Sequence, residues 1–149
     1  MSHNTPWADP REAARIQQER LDARRDALHQ QAEALLAEFF AVVVSHGPTP
    51  TRLKVRGYGG KGEARTRLTG WYLRADRTAA LGTDGAFYVL IAPLSTLDRL
   101  RGTTPTSTRP PMILGEGGKD GESIDLPDAL EKVLPNWRNL MSAASADGD

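Results

Sequence analysis

Cysteine is absent from this chain of 149 residues. Disulfide bonds, thiolate zinc sites, iron–sulfur clusters and cysteine nucleophiles are therefore excluded. Long apolar runs are also missing, because the longest span residues 39–44 and 86–93, far short of the roughly 20 residues that cross a bilayer. The N-terminal residues are polar and do not resemble an apolar signal segment. We therefore expect a cytoplasmic protein without a membrane partner.

Recognisable catalytic motifs are missing as well. The three histidines, His3, His29 and His46, lack the spacing of metal ligands, and neither HExxH nor Gly-x-Ser-x-Gly occurs. We therefore predict no catalytic residue, no metal site and no cofactor. An enzyme is the less favoured class of protein.

Charge is balanced overall but uneven along the chain. There are 19 basic and 19 acidic residues, and only four of the basic ones are lysine. Residues 47–82 hold eight basic and two acidic residues, whereas residues 112–149 hold three basic and eight acidic ones. The overall balance excludes a uniformly basic nucleic-acid coat and leaves the basic middle part as the informative region. The richness in arginine and alanine is typical of a GC-rich bacterial gene.

Helix signals open the chain. Asp9 is a favourable N-cap, Pro10 suits the first helical position, and no glycine or proline interrupts the sequence until Gly47. This pattern predicts a helix over residues 10–46. The second half of the helix is apolar on nearly every side and is expected to be buried, whereas the first half is highly charged.

Alternating polar and apolar residues predict antiparallel strands in the next part of the chain. Residues 87–92 are apolar throughout, so we expect a strand covered on both faces, with Val89 and Ile91 in the core. The expected fold class is α+β, with the long helix packed on an antiparallel meander of about four strands and short C-terminal helices. The predicted segments are a flexible N-terminus (1–9), a single domain (10–141) and a disordered tail (142–149). Within the domain we expect the long helix (10–46), strands (51–93), a short helix (95–102) and a C-terminal helical segment (126–141).

Basic side chains dominate the first two predicted strands. Arg52, Lys54 and Arg56 alternate with apolar residues and therefore share one strand face, and Arg65 and Arg67 share a face of the next strand. Like charges on paired strands are costly unless an anionic partner neutralises them. The residues predicted to bind nucleic acid or another anionic partner are Arg52, Lys54, Arg56, Tyr58, Lys61, Arg65 and Arg67. The alternatives are a solvated edge hairpin or pairing with the acidic C-terminal part.

Leucines recur every seven residues along the long helix. Leu21, Leu28 and Leu35 form one seam, but Arg25 and Ala32 weaken the second seam that a coiled coil needs. A single amphipathic helix lying on the sheet explains this pattern, and so does self-association or binding of a partner helix. Leu21, Leu28 and Leu35 are the predicted helix interface.

A glycine-rich segment spans residues 115–123. Its glycine spacing differs from that of a phosphate loop, and no serine or threonine follows Lys119. Calcium-loop spacing is also absent. Four carboxylates that suit a hard cation lie in or beside it: Glu116, Asp120, Glu122 and Asp125. A turn that leads to Asp125 as a helix cap is the simplest interpretation, and ligand or cation binding is the other.

These patterns favour a small non-enzymatic interaction or adaptor protein that acts through its long helix, as a homodimer or with a protein partner. The helix motivates this hypothesis because it is longer than a domain of this size can cover. The alternative is a nucleic-acid-binding regulator that uses the basic strands. Ligand or cation binding at residues 115–123 is the third hypothesis.

Overall fold

The computed structural model describes residues 9–115 and 123–141, so residues 1–8 and 142–149 of the predicted termini lie outside the described residues. The chain has an α+β fold, as predicted. The elements in chain order are α1 (Pro10–His46), β1 (Thr51–Arg56), β2 (Glu63–Tyr72), β3 (Ala79–Gly82), β4 (Phe87–Val89), α2 (Thr96–Arg101), β5 (Ser107–Thr108), β6 (Ile113–Leu114), β7 (Ile124–Asp125) and α3 (Leu126–Val133).

Both ends of α1 follow from local sequence. The Asp9 carboxylate accepts a hydrogen bond from the Arg11 N–H at 3.0 Å, which satisfies one of the free donors of the first turn. At the other end, the Gly47 N–H donates to the Val43 carbonyl at 2.9 Å. The buried residues of α1 all lie in its second half: Ala32, Leu35, Leu36, Phe39, Val42 and Val43.

The main sheet runs in the order β1-β2-β3-β4-β5, with antiparallel neighbours throughout. This is the predicted meander with one further strand. Ser107 and Thr108 lie outside the segment predicted to form strands (51–93), and they pair with Tyr88 and Phe87 at the sheet edge. Because side chains of an exposed edge strand are solvated, β5 has no alternating apolar pattern that would reveal it.

The sheet curls until the end of β1 meets the chain just after β4. The Arg56 N–H donates to the Leu90 carbonyl at 2.8 Å, and the Ala92 N–H donates to the Arg56 carbonyl at 3.0 Å. The inner face holds a compact cluster, named here the inner cluster: Leu53, Val55, Ala80, Tyr88 and Leu90. The outer face packs against α1 and the C-terminal helices in the helix-side cluster, whose members include Phe39, Trp71, Leu81, Leu130 and Trp137.

The prediction that the fourth strand is covered on both faces is wrong at Val89. Its neighbours Phe87 and Leu90 are buried in the helix-side and inner clusters, respectively. Val89 itself is 46% exposed, and Ile91 is half-buried rather than in the core. The outer face of β4 is therefore covered at Phe87 but not at Val89.

The C-terminal helical segment is interrupted. α3 ends at Val133, Asn136 adopts a left-handed conformation with φ of 62°, and residues 137–141 are helical again. Trp137 still reaches the core, where its ring meets that of Phe39 edge-on at 5.3 Å. Asp125 occupies the N-cap position of α3, but its side chain makes no capping hydrogen bond, so the predicted cap is wrong in this respect.

Candidate nucleic-acid interface

The basic residues of β1 and β2 lie on paired strands. Lys54 is directly opposite Arg65, and Arg56 is opposite Glu63. Leu53 and Val55 point to the inner cluster, so the basic residues that alternate with them point outward. A like-charged pair directly across two strands is unfavourable in the isolated protein.

A bulge in β2 places further cations beside this pair. Arg52 and Lys54 are two positions apart on β1, whereas their partners Thr69 and Arg65 are four positions apart on β2. The Thr66 hydroxyl lies in the bulge, where it donates to the Leu53 carbonyl at 2.7 Å and accepts from the Leu68 N–H at 3.1 Å. The Arg52 guanidinium donates to the Thr66 carbonyl at 3.2 Å. Arg52 is thereby held against the bulge.

The loop between β1 and β2 presents an open backbone and one aromatic ring. The Gly57 N–H donates to the Gly62 carbonyl at 2.9 Å and closes the loop. Gly59 and Gly60 have φ values of 64° and 75°, and a Cβ at either position would have no neighbour within 4 Å. Tyr58 beside them is 56% exposed. A planar ligand therefore has free access to this ring.

Helix α2 adds two cations that sequence reasoning missed. The Thr103 N–H donates to the Arg65 carbonyl at 2.8 Å, and the Arg65 guanidinium donates to the Leu100 carbonyl at 3.3 Å, so the end of α2 is fixed on β2. The exposed Arg99 and Arg101 therefore lie next to β2. Nothing local in the sequence shows where a six-residue helix docks. The cationic surface, as named from here on, comprises Arg52, Lys54, Lys61, Arg65, Arg67, Arg99 and Arg101.

Few carboxylates balance the cationic surface. Glu63 approaches Lys54 at 3.8 Å. Asp98 is engaged in the capping box of α2, where it accepts from the Ser95 N–H at 3.0 Å. In the described ranges, no acidic residue after position 111 forms an ion pair with the cationic surface. Positive charge is therefore in excess here.

Arg56 is a predicted site residue whose side chain is bonded within the protein instead of being fully exposed. It is half-buried, and its guanidinium donates to the Asp76 carbonyl at 2.8 Å, in the connection between β2 and β3. Of the seven predicted residues, Arg52, Lys54, Arg65 and Arg67 lie around the bulge, and Tyr58 and Lys61 lie in the adjoining loop. Alternation predicts which face of β1 carries Arg56. It does not predict the hydrogen bond to the Asp76 carbonyl, which depends on the curl of the sheet.

The predicted helix interface divides into two parts. Leu21 and Leu28 are 42% and 47% exposed, whereas Leu35 belongs to the helix-side cluster and is not accessible to a partner. The solvated half of α1 is stabilised along its own length by ion pairs of Arg15 with Glu12 and Glu19.

Arg109 links the loop after β5 to α1 through two ion pairs. Its guanidinium bonds Asp26 at 2.5 Å and Glu33 at 2.8 Å, and the His29 ring is 2.9 Å from the Pro110 carbonyl. The hydrogen bond from Arg109 lowers the pKa of Asp26 below its usual range. The two carboxylates in turn raise the pKa of Arg109, Glu33 more strongly than Asp26. α1 is therefore anchored to another element from Asp26 onward.

A cleft of about 780 Å³ lies between the end of β2 and α3. Trp71, Arg74, Lys132 and Ser123 are among its lining residues. The hypothesis of a ligand or cation site at residues 115–123 concerns this region, but residues 116–122 lie outside the described residues. The part of the chain that the structure describes contains no cluster of three or more metal-ligating side chains.

Comparison with known proteins gives no relative: no family model, no curated protein and no solved structure matches this chain. Within residues 9–115 and 123–141, no helix combines the length and apolar character needed to cross a membrane.

Proposed function

We propose that the protein binds nucleic acid through the cationic surface and acts as a small regulator. The observation that carries this proposal is the cross-strand pair of Lys54 and Arg65 in a region with an excess of cations. Glu63 approaches only Lys54 of this pair, so the pair stays unfavourable until a further anion bridges it. A phosphate backbone supplies anions in a row and matches cations that extend over two strands, a loop and a helix.

Binding of this kind has a defined dependence on salt. Each phosphate that is neutralised releases counterions, so the logarithm of the affinity falls linearly with the logarithm of salt concentration. Contacts to four to six phosphates give a slope of about −3 to −5. The cytoplasmic location expected from the sequence would give this surface access to nucleic acid.

Fluorescence anisotropy with labelled oligonucleotides of mixed sequence tests the proposal. The informative variant is Lys54→Glu/Arg65→Glu, which reverses the charge of the cross-strand pair. The matched control is Arg20→Glu/Arg24→Glu, which makes the same change of net charge on exposed positions of α1. We expect the first variant to lose binding with every sequence and the control to retain it. Equal affinities of the two folded variants would contradict the proposal.

A second candidate function rests on the exposed half of α1. In the described chain, no residue of α1 before Asp26 forms a hydrogen bond or an ion pair with another element. Leu21 and Leu28 are exposed one above the other on this half. An adaptor that recruits a protein partner, or a second copy of the chain, through this stripe is our second proposal. The two proposals are compatible, since a dimer would carry two cationic surfaces.

Oligomeric state tests the dimer form of this second proposal. We expect sedimentation analysis to show a dimer for the natural protein and a folded monomer for Leu21→Ser/Leu28→Ser. Leu97→Ser/Leu100→Ser is the matched control, because those leucines are also exposed but lie on α2. A natural protein that stays monomeric at high concentration would rule out the dimer.

A further inference from the structure

Large apolar side chains are exposed on the same segments that carry the cationic surface. Tyr58 in the loop is 56% exposed, and Leu97 and Leu100 on α2 are 55% and 68% exposed. In both places cations lie close in sequence: Lys61 in the loop and Arg99 and Arg101 on α2. A surface that only keeps its charges in water does not explain why large apolar side chains are exposed beside the cations.

The loop and α2 are in direct contact. Gly62 ends the loop with φ of 87°, and a Cβ added there would lie 2.6 Å from Cδ of Arg99. The Arg99 side chain therefore lies across the end of the loop that carries Tyr58. Arg99 of α2 and the loop that carries Tyr58 therefore lie side by side.

The chemistry of the cationic surface and Tyr58 suits an unpaired strand better than a duplex. Both forms offer phosphates, but only an unpaired strand exposes the flat faces of its bases. An accessible aromatic ring stacks on such a face whatever the base, and the open backbone at Gly59 and Gly60 leaves room for it. A duplex hides these faces and gains nothing from an exposed Tyr58.

We propose that the cationic surface is a single-strand site, in which Tyr58 stacks on a base while Arg99 and Arg101 of α2 bind the adjoining phosphates. This inference rests on the proposed nucleic-acid function and specifies its ligand. Tyr58 supplies affinity that depends on bases but not on salt. The arginines of α2 supply affinity that depends on salt but not on bases.

The test measures binding of the full chain to three probes of equal length: an oligothymidylate, the same backbone without bases, and a duplex. At equal salt we expect the oligothymidylate to bind about tenfold tighter than either other probe. Tyr58→Ala should lose about tenfold affinity for the oligothymidylate, with an unchanged salt slope and unchanged binding of the abasic strand. Tyr58→Phe retains the aromatic face and should bind normally.

Arg99→Gln/Arg101→Gln is the complementary variant. It should weaken binding of both single strands and make the salt slope shallower by about 1.4, since each single-strand phosphate contact contributes about 0.7. Circular dichroism checks the fold of each variant, and the changed side chains are exposed.

Three results overturn the inference in distinguishable ways. Equal binding of all three probes, lost in Lys54→Glu/Arg65→Glu but unaffected by Tyr58→Ala, would leave the nucleic-acid function standing and remove the single-strand site. Failure of every probe to bind at low salt would remove both. Displacement of the oligothymidylate by polyglutamate at equal charge concentration would also overturn the inference, because it would indicate an acidic protein partner.

Discussion

The hydrogen bond between Tyr88 and Asp84 shows how a single residue fixes a turn. The Tyr88 hydroxyl donates to one Asp84 oxygen at 2.5 Å, and the other oxygen accepts from the Ala86 N–H at 2.9 Å. Asp84 thus ties the β3–β4 turn to the inner cluster. The hydrogen bond to Asp84, together with burial, raises the pKa of Tyr88 to about 12.

The raised pKa gives the Tyr88 interaction a defined pH window. An unfolded tyrosine has a pKa of about 10, so the contribution of the folded hydrogen bond is fully present below pH 10. It is lost as the pH rises from about 10 to about 12. We expect Tyr88→Phe to lower the free energy of unfolding by about 1–2 kcal/mol at pH 7. This difference should shrink above pH 10 in urea titrations.

Tyrosinate absorbance provides the control for the Tyr88 prediction. The tyrosine ionisation near pH 12 should be missing in Tyr88→Phe. In Asp84→Asn, which removes the negative acceptor, the same ionisation should move toward pH 10. An alkaline titration curve unchanged by Asp84→Asn would show that Asp84 does not hold this proton.

At the scale of elements, Gly102 decides whether α2 docks on β2. Its φ of 90° and ψ of 175° belong to a region that is essentially restricted to glycine. A Cβ there would also lie 2.7 Å from the Arg65 carbonyl oxygen. We expect Gly102→Ala to lower the free energy of unfolding by about 1–3 kcal/mol and to weaken oligonucleotide binding, because Arg99 and Arg101 lose their position.

Gly59→Ala is the control for this prediction. Gly59 also has a positive φ, 64°, but a Cβ there meets nothing within 4 Å. We expect it to cost about 1–2 kcal/mol from the left-handed backbone alone, without disturbing α2 or oligonucleotide binding. Urea unfolding measures both variants, and oligonucleotide anisotropy reports whether α2 is still docked. If Gly102→Ala proved as mild as Gly59→Ala, the docking contact would be less important than proposed.

Elements whose ends are defined by local chemistry were predictable from the sequence. Asp9 with Pro10 marked the start of α1, and the Ser95 capping box marked the start of α2. β5 was not predictable, because its pairing depends on β4 and its own residues are polar. The position of α2 was not predictable either, since contacts between residues 65 and 100 leave no local pattern.

At the scale of the whole molecule, the curl of the sheet is what sequence reasoning missed. Alternation correctly placed the cations of β1 and β2 outward and Leu53 and Val55 inward. It could not show that Arg56 meets Leu90 and Ala92, because that contact joins residues more than 30 positions apart. Arg56 is therefore half-buried and bonded to the Asp76 carbonyl, although alternation groups it with exposed cations. Apolar composition alone predicts Val89 in the core, but no element in the described part of the chain covers its face of β4.

The two clusters are expected to unfold together because the same strands build both. On β2, Trp71 belongs to the helix-side cluster and Tyr72 packs on the inner one. On β3, Leu81 belongs to the helix-side cluster and Ala80 to the inner cluster. Neither cluster can lose its strands while the other keeps them. Leu90→Ala and Leu130→Ala, one in each cluster, should each lower the free energy of unfolding by about 2–5 kcal/mol and keep a single transition.

Two probes test this cooperativity in urea. In a Trp7→Phe background, tryptophan fluorescence reports on Trp71 and Trp137 of the helix-side cluster, while far-ultraviolet circular dichroism reports on all elements. The two curves should coincide for both variants, even though Leu90 lies in the other cluster. Val44→Ala, at a position 58% exposed, should change stability by no more than about 0.5 kcal/mol. If Leu90→Ala gave a circular dichroism transition at lower urea than the fluorescence transition, the clusters would be separate folding units, and the cationic surface would belong to the less stable one.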